Sequence, residues 1–144
     1  MAYWLMKSEP FKYSWQQLVK DKTTKWDGVR NYLARNNLQA MQVGDEVLFY
    51  HSNEGLACVG IAKVVKTAEP DTTVGPDKRN KDGSNPWVVV TIAPVREFKK
   101  PVTLEAVKAN PKLKDMALVT SMRLSVQPVT VAEWGEVLRM AGES

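Results

Sequence analysis

The chain has 144 residues, 44% of them apolar and 25% charged, with 20 Lys+Arg against 16 Asp+Glu. That is enough for one packed core. It excludes collagen-like, low-complexity and disulfide-stapled chains, since a single cysteine, Cys58, closes no disulfide within the chain and anchors no thiolate metal cluster. No apolar run approaches the roughly 20 residues that span a bilayer, and the N-terminus lacks a signal-peptide layout, so a cytoplasmic monomer away from membranes is expected.

Tyr3 to Lys7 reads as a buried strand that ends at Ser8-Glu9-Pro10, where proline stops pairing. Ser14-Trp15-Gln16-Gln17 has capping-box spacing and opens a short helix to about Lys20. Residues 21–32 are polar and irregular around Trp26-Asp27-Gly28, and Arg35 to Met41 looks helical. Gly44-Asp45 turns into a strand from Glu46 to His51, and Ala57 to Lys66 returns antiparallel. A long connection follows over 69–86, holding Pro70, Pro76 and Pro86, in which Asp71 reads as a turn former. Trp87 to Phe98 is the longest expected strand. Thr103 caps a helix to about Asn110, and Ser121 to Val126 reads as the last strand. Thr130 and Glu133 form a second capping box, and the helix behind it should bury Val131, Trp134 and Leu138 before Gly142. Strands and helices mix without a βα repeat. An α+β fold follows: a closed or half-closed small barrel of about five or six strands with peripheral helices, in a single domain over 1–144.

Enzyme signatures are thin. One histidine, His51, rules out a two-histidine metal site, and no nucleophile elbow, phosphate loop or dinucleotide fingerprint is present. Neither metal nor cofactor is expected. Cys58, within Leu56-Ala57-Cys58-Val59, reads as a small core residue. Trp4, Phe49, Trp15 and Trp134 read as core for their mid-strand or capped-helix positions. Trp26 differs, because a polar irregular stretch seldom recruits tryptophan for packing alone. Aromatic residues standing beside Lys7, Ser8, Arg30, Asn31, His51 and Ser52 suit a flat base taken out of its stack: faces for stacking, amides and hydroxyls for its edge. Residues 1–35 carry seven Lys/Arg and three acids, the most positive stretch of the chain.

Tyr3-Trp4-Leu5-Met6-Lys7-Ser8-Glu9-Pro10 and Trp26-Asp27-Gly28-Val29-Arg30-Asn31-Tyr32-x-Ala34-Arg35-Asn36 resemble the EVE domain family. So do Gly44-Asp45 with Phe49-Tyr50-His51-Ser52-Asn53, Pro86-Trp87-Val88-Val89-Val90 and Arg123-Leu124-Ser125-Val126-Gln127-Pro128. Leu33 departs from the glutamine common in that family. The resemblance implies a PUA-like fold related to YTH and ASCH domains, and a pocket for a modified nucleobase in DNA or RNA. Lys7, Ser8 and Trp26 match the positions that cage a methylated base in YTH readers. The expected base-binding set is Lys7, Ser8, Glu9, Trp26, Val29, Arg30, Asn31, Tyr50, His51 and Ser52. Lys12, Lys25, Arg35 and Arg123 are the expected backbone contacts. A cleft flanked by residues 7–9, 26–32 and 50–53 is therefore expected. The alternative is a small-molecule sensor or enzyme using the same cavity, with His51 as its acid–base group.

Overall fold

A computed structural model describes residues 1–143. Six strands form one sheet: β1 (Tyr3–Ser8), β2 (Thr24–Lys25), β3 (Glu46–His51), β4 (Ala57–Pro70), β5 (Val88–Thr103) and β6 (Val126–Val129). Their spatial order is β2-β5-β4-β3-β1-β6. β1 runs parallel to β3, with Lys7 opposite Tyr50 and Ser8 opposite His51, and the other pairs are antiparallel. The helices are α1 (Trp15–Asp21), α2 (Tyr32–Ala40), α3 (Leu104–Ala109), α4 (Ala117–Thr120) and α5 (Val131–Met140). No pairing joins β2 to β6 among the described residues, so the barrel is half-closed. Helix α2 packs against both β6 and β5 and spans that gap. The Asn37 side chain donates to the Val126 carbonyl at 2.7 Å, and Arg35 donates to the Pro86 carbonyl at 3.3 Å.

Two apolar clusters lie on the two faces of the sheet, because alternate strand residues point to opposite sides. Met6, Trp15, Leu18, Trp26, Leu38 and Phe49 belong to one; Leu5, Leu48, Tyr50, Cys58, Val107 and Trp134 to the other. Cys58, Trp4, Phe49, Trp15 and Trp134 are buried, as their positions implied. Asp45 ties the N-terminus down: its carboxylate accepts from the Ala2 and Gln42 amides and from the Trp4 indole at 3.0 Å.

Several expected elements are displaced. The last strand is not Ser121–Val126 but Val126–Val129, since residues 121–124 form a turn whose carbonyls are taken by the Gln127 side chain. α2 begins three residues earlier than expected because Asn31 caps it, accepting from the Ala34 amide at 3.0 Å. Ser14 caps α1 at 3.1 Å, but Gln17 reaches forward to Asp21 instead of back, so only half of the first capping box forms. The Thr130–Glu133 box is complete. In α5 the buried face is Trp134 and Val137; Val131 stands 73% exposed at the first turn. The ring of Trp134 stacks on Tyr3 at 4.3 Å.

Candidate nucleic-acid interface

β1 ends at Ser8, and the chain turns over Glu9, whose carbonyl accepts from the Lys12 and Tyr13 amides at 2.9 Å. The loop comes back beside β2, and Trp26 continues the β2–β5 ladder by donating its amide to Val90 at 2.8 Å. Between these segments lies a cleft of about 520 Å³, lined by Lys7, Ser8, Glu9, Tyr13, Trp26 and Gly28, with Lys12, Thr24, Lys25 and Asp27 completing it. That volume lies in the range of small-ligand sites.

Each wall is held by bonds that leave donors or acceptors free. The Lys7 ammonium donates to the Met122 carbonyl and sits 5.8 Å from the Tyr50 ring centroid. Burial pulls its pKa down from the usual lysine value. Ser8 donates its hydroxyl to the Tyr13 carbonyl, which keeps its oxygen lone pairs available. Trp26 is 9% exposed and meets Phe49 and Tyr13 edge to face, at 5.6 and 6.5 Å. It is core and cleft wall at once, not a free-standing ring. Glu9 pairs loosely with Lys12 at 3.6 Å, so the rim carries Lys7, Lys12 and Lys25 against Glu9 and Asp27.

The wall beyond Trp26 depends on Asp71, which the sequence marked only as a turn former. Its carboxylate is fully buried and accepts from the Thr73 amide and hydroxyl at 2.8 and 2.6 Å, the Arg30 guanidinium at 2.9 Å and the Gly28 amide at 3.1 Å. Gly28 has φ +77°, a left-handed conformation that favours glycine, and this aims its amide at Asp71. Burial alone would raise the Asp71 pKa; the Thr73, Arg30 and Gly28 donors outweigh it and hold the carboxyl at about 2.

The expected site residues therefore divide. Lys7, Ser8, Glu9, Trp26, Lys12 and Lys25 converge on the cleft. Val29 is buried core, and Asn31 spends its side-chain oxygen on the α2 cap. Arg30 is turned to Asp71, with its guanidinium 5.8 Å from the Trp87 ring centroid. Arg35 lies over Tyr32 at 5.0 Å. Tyr50 is buried on the opposite face of the sheet, where burial pushes its hydroxyl up to about 12. Ser52 donates its amide to the Ser8 carbonyl at 2.9 Å and supports the strand end from outside the lining. Arg123 stands exposed in the 121–124 turn. Tyr13 and Thr24 line the cleft without having been singled out, because Tyr13 lies in the turn before α1 and Thr24 in a two-residue strand, neither of which has a periodicity to read.

His51 also lies outside the lining. Its Nε2 accepts the Trp15 amide at 3.1 Å, and an acceptor nitrogen carries no proton, so the ring holds the start of α1 and is not an acid–base group aimed into the cavity. Burial lowers its pKa below the ordinary 6.5. The unfolded chain thus takes up a proton first, and stability present above about pH 6.5 is lost as pH falls through the lower folded-state value. Thermal melts of wild type and His51→Gln from pH 7.5 to 5 are expected to show a larger drop for wild type. Parallel profiles would contradict that assignment.

The EVE domain model matches residues 2–140. Human thymocyte nuclear protein 1 is 40% identical over 96% of this chain and 73% of its own length. A crystal structure of a protein from Agrobacterium tumefaciens superposes with TM-score 0.90 at 52% identity, over 99% of this chain and 94% of that one. The crystal structure of human THYN1 in complex with DNA containing 5-methylcytosine superposes with TM-score 0.90 at 37% identity, over 100% of this chain and 99% of that one. With its half-closed barrel, bridging helix and strand-end cleft, the chain belongs to the EVE domain family.

Proposed function

We propose that the chain is a non-catalytic, single-domain reader of a modified base in DNA, and that the base, a 5-methylcytosine, is held out of its stack in the cleft. The observation that carries this is the convergence of Lys7, Ser8 and Trp26 on one cavity, in a chain so similar to a THYN1 protein solved with methylated DNA. Cytosine offers an amino donor and two acceptors on its pairing edge. The Ser8 oxygen and the Glu9 carboxylate suit the amino group, the free Lys7 protons suit the acceptors, and the Trp26 ring gives the methyl group an apolar wall. All these groups come from one chain, so a monomer suffices.

Phosphates flanking the base meet the lysines of the rim. Amide chemical-shift mapping with a short 5-methylcytosine oligonucleotide should move residues 7–9, 13 and 24–28 first. Lys25→Ala should weaken methylated and unmethylated strands alike and shrink the salt slope by about 0.9. Shifts confined to another face of the domain would overturn the proposal. Stronger shifts with a methylated RNA of the same sequence would overturn its assignment to DNA.

A further inference from the structure

A base in a duplex reaches a cleft only by leaving the stack, at a cost of a few kcal/mol, and proteins that open duplexes commonly fill the vacated step with an apolar side chain. One element stands where such a side chain is needed. Residues 121–124 form a turn closed by the Leu124 amide on the Ser121 carbonyl at 3.0 Å. Lys7, which lines the cleft, donates its ammonium to the Met122 carbonyl at the tip of that turn, and its amide donates to Ser125 at 2.9 Å.

The turn is braced. Gln127 is fully buried, and its amide nitrogen donates to the carbonyls of Leu124, Ser121 and Ala117 at 2.9, 3.1 and 3.3 Å. Leu124 is buried behind it. The two residues at the tip point outward: Met122 is 51% exposed, and Arg123 is exposed beside it. The other five arginines each have a hydrogen-bond or ion-pair partner; Arg123 has none among the described residues. Packing asks for neither side chain. Phe11 is also exposed, but it lines a separate depression with Pro10, Glu54 and Gly55, where the Glu54 carboxylate opposes phosphate.

We infer that the 121–124 turn is a duplex-opening wedge: Met122 enters the base stack at the step vacated by the base in the cleft, and Arg123 contacts a phosphate beside that gap. The inference rests on the base-reading proposal and adds the means by which a paired base is released. The wedge is useful only on a duplex, since a single strand has no stack to hold open.

The test compares one 5-methylcytosine sequence as a duplex and as a single strand, each against its unmethylated form. Wild type and Met122→Ala are titrated, with 2-aminopurine placed beside the methylated base to report unstacking. Met122→Ala should weaken duplex binding about tenfold and lose the 2-aminopurine signal, while single-strand affinity stays within about twofold. Met122→Leu should restore most of the duplex affinity. Arg123→Ala should lower the salt slope on the duplex by about 0.9. Equal losses on duplex and single strand, or no loss on either, would overturn the wedge while leaving base reading intact. Absence of any methyl preference by wild type in both formats would overturn both proposals together.

Discussion

Asp71→Ala is expected to cost about 3 kcal/mol of stability, because it removes the buried carboxylate of the pair with the partly exposed Arg30 and strands the buried donors around it. Arg30 loses its carboxylate, and the Thr73 and Gly28 amides lose their acceptor. The Trp26-Asp27-Gly28 wall of the cleft is then unpinned, so affinity for a methylated oligonucleotide should fall even where the variant is still folded. Asp71→Asn is expected to lie between, since its carbonyl keeps Thr73 while its amino group faces the Arg30 and Gly28 donors. Thr73→Ala deletes the hydroxyl's bond to Asp71 and its long contact from Arg30 at 3.4 Å, keeps the Thr73 amide bond, and should cost about 1 kcal/mol. Urea midpoints rank the three. An Asp71→Ala loss no larger than that of Thr73→Ala would show that the carboxylate does not organise the wall.

The same carboxyl has a pH signature. Held at about 2 in the folded chain against an ordinary 3.8, it stabilises fully above about pH 4. That contribution, about 2 kcal/mol, is lost as pH falls toward 2, because the unfolded chain binds the proton more readily. The loss lies at lower pH than the one assigned to His51, so the two groups separate in one titration.

Gly60→Ala is expected to be nearly as damaging for a different reason. A Cβ at position 60 would stand 2.7–2.8 Å from three carbons of the Trp15 ring, and Trp15 is fully buried. Gly60 lies at a register shift between β3 and β4, where Phe49 faces Gly60 and Tyr50 faces Cys58, leaving Val59 unpaired on β4. The ring lies on the strand backbone there and has no room to retreat. Overpacking of this kind costs about 1–3 kcal/mol, and the rigid ring places it at the upper end. The loss should shrink in a Trp15→Leu background, since the clash then meets a smaller, more adaptable side chain. An undiminished loss in the double variant would assign the cost to the strand backbone instead.

The residues that were legible in the sequence are those whose signal is local. Trp4, Phe49 and Trp134 declared themselves by strand or capped-helix position, and the Thr130–Glu133 box by spacing. The strands β4 and β5 were each visible in their β-branched runs, although they extend to Pro70 and Thr103, past the expected ends, and their pairing with each other is read from the structure. What escaped was set by distant partners. Asp71 looked like a turn former, and does bond to Thr73 two residues on, but its larger role depends on Gly28 and Arg30, more than 40 positions away. The 121–126 segment carries strand-forming residues, yet the buried Gln127 amide collects the Ser121 and Leu124 carbonyls into a turn, and β6 starts five residues later than expected. Asn31, expected among the base contacts, caps α2 instead, because that helix starts at Tyr32. Val131 opens the first turn of α5 and stays exposed, while Trp134, stacked on Tyr3, and Val137 are covered.

The most direct test of base reading is the ratio of dissociation constants of wild type for two duplexes that differ by one 5-methyl group, measured at a single salt concentration, with Trp26→Phe alongside. A methyl-dependent ratio of about tenfold, reduced in Trp26→Phe with the salt slope unchanged, is the expected result. A ratio of one in wild type, with both duplexes bound through the same salt slope, would contradict it and leave only a basic surface that holds phosphate.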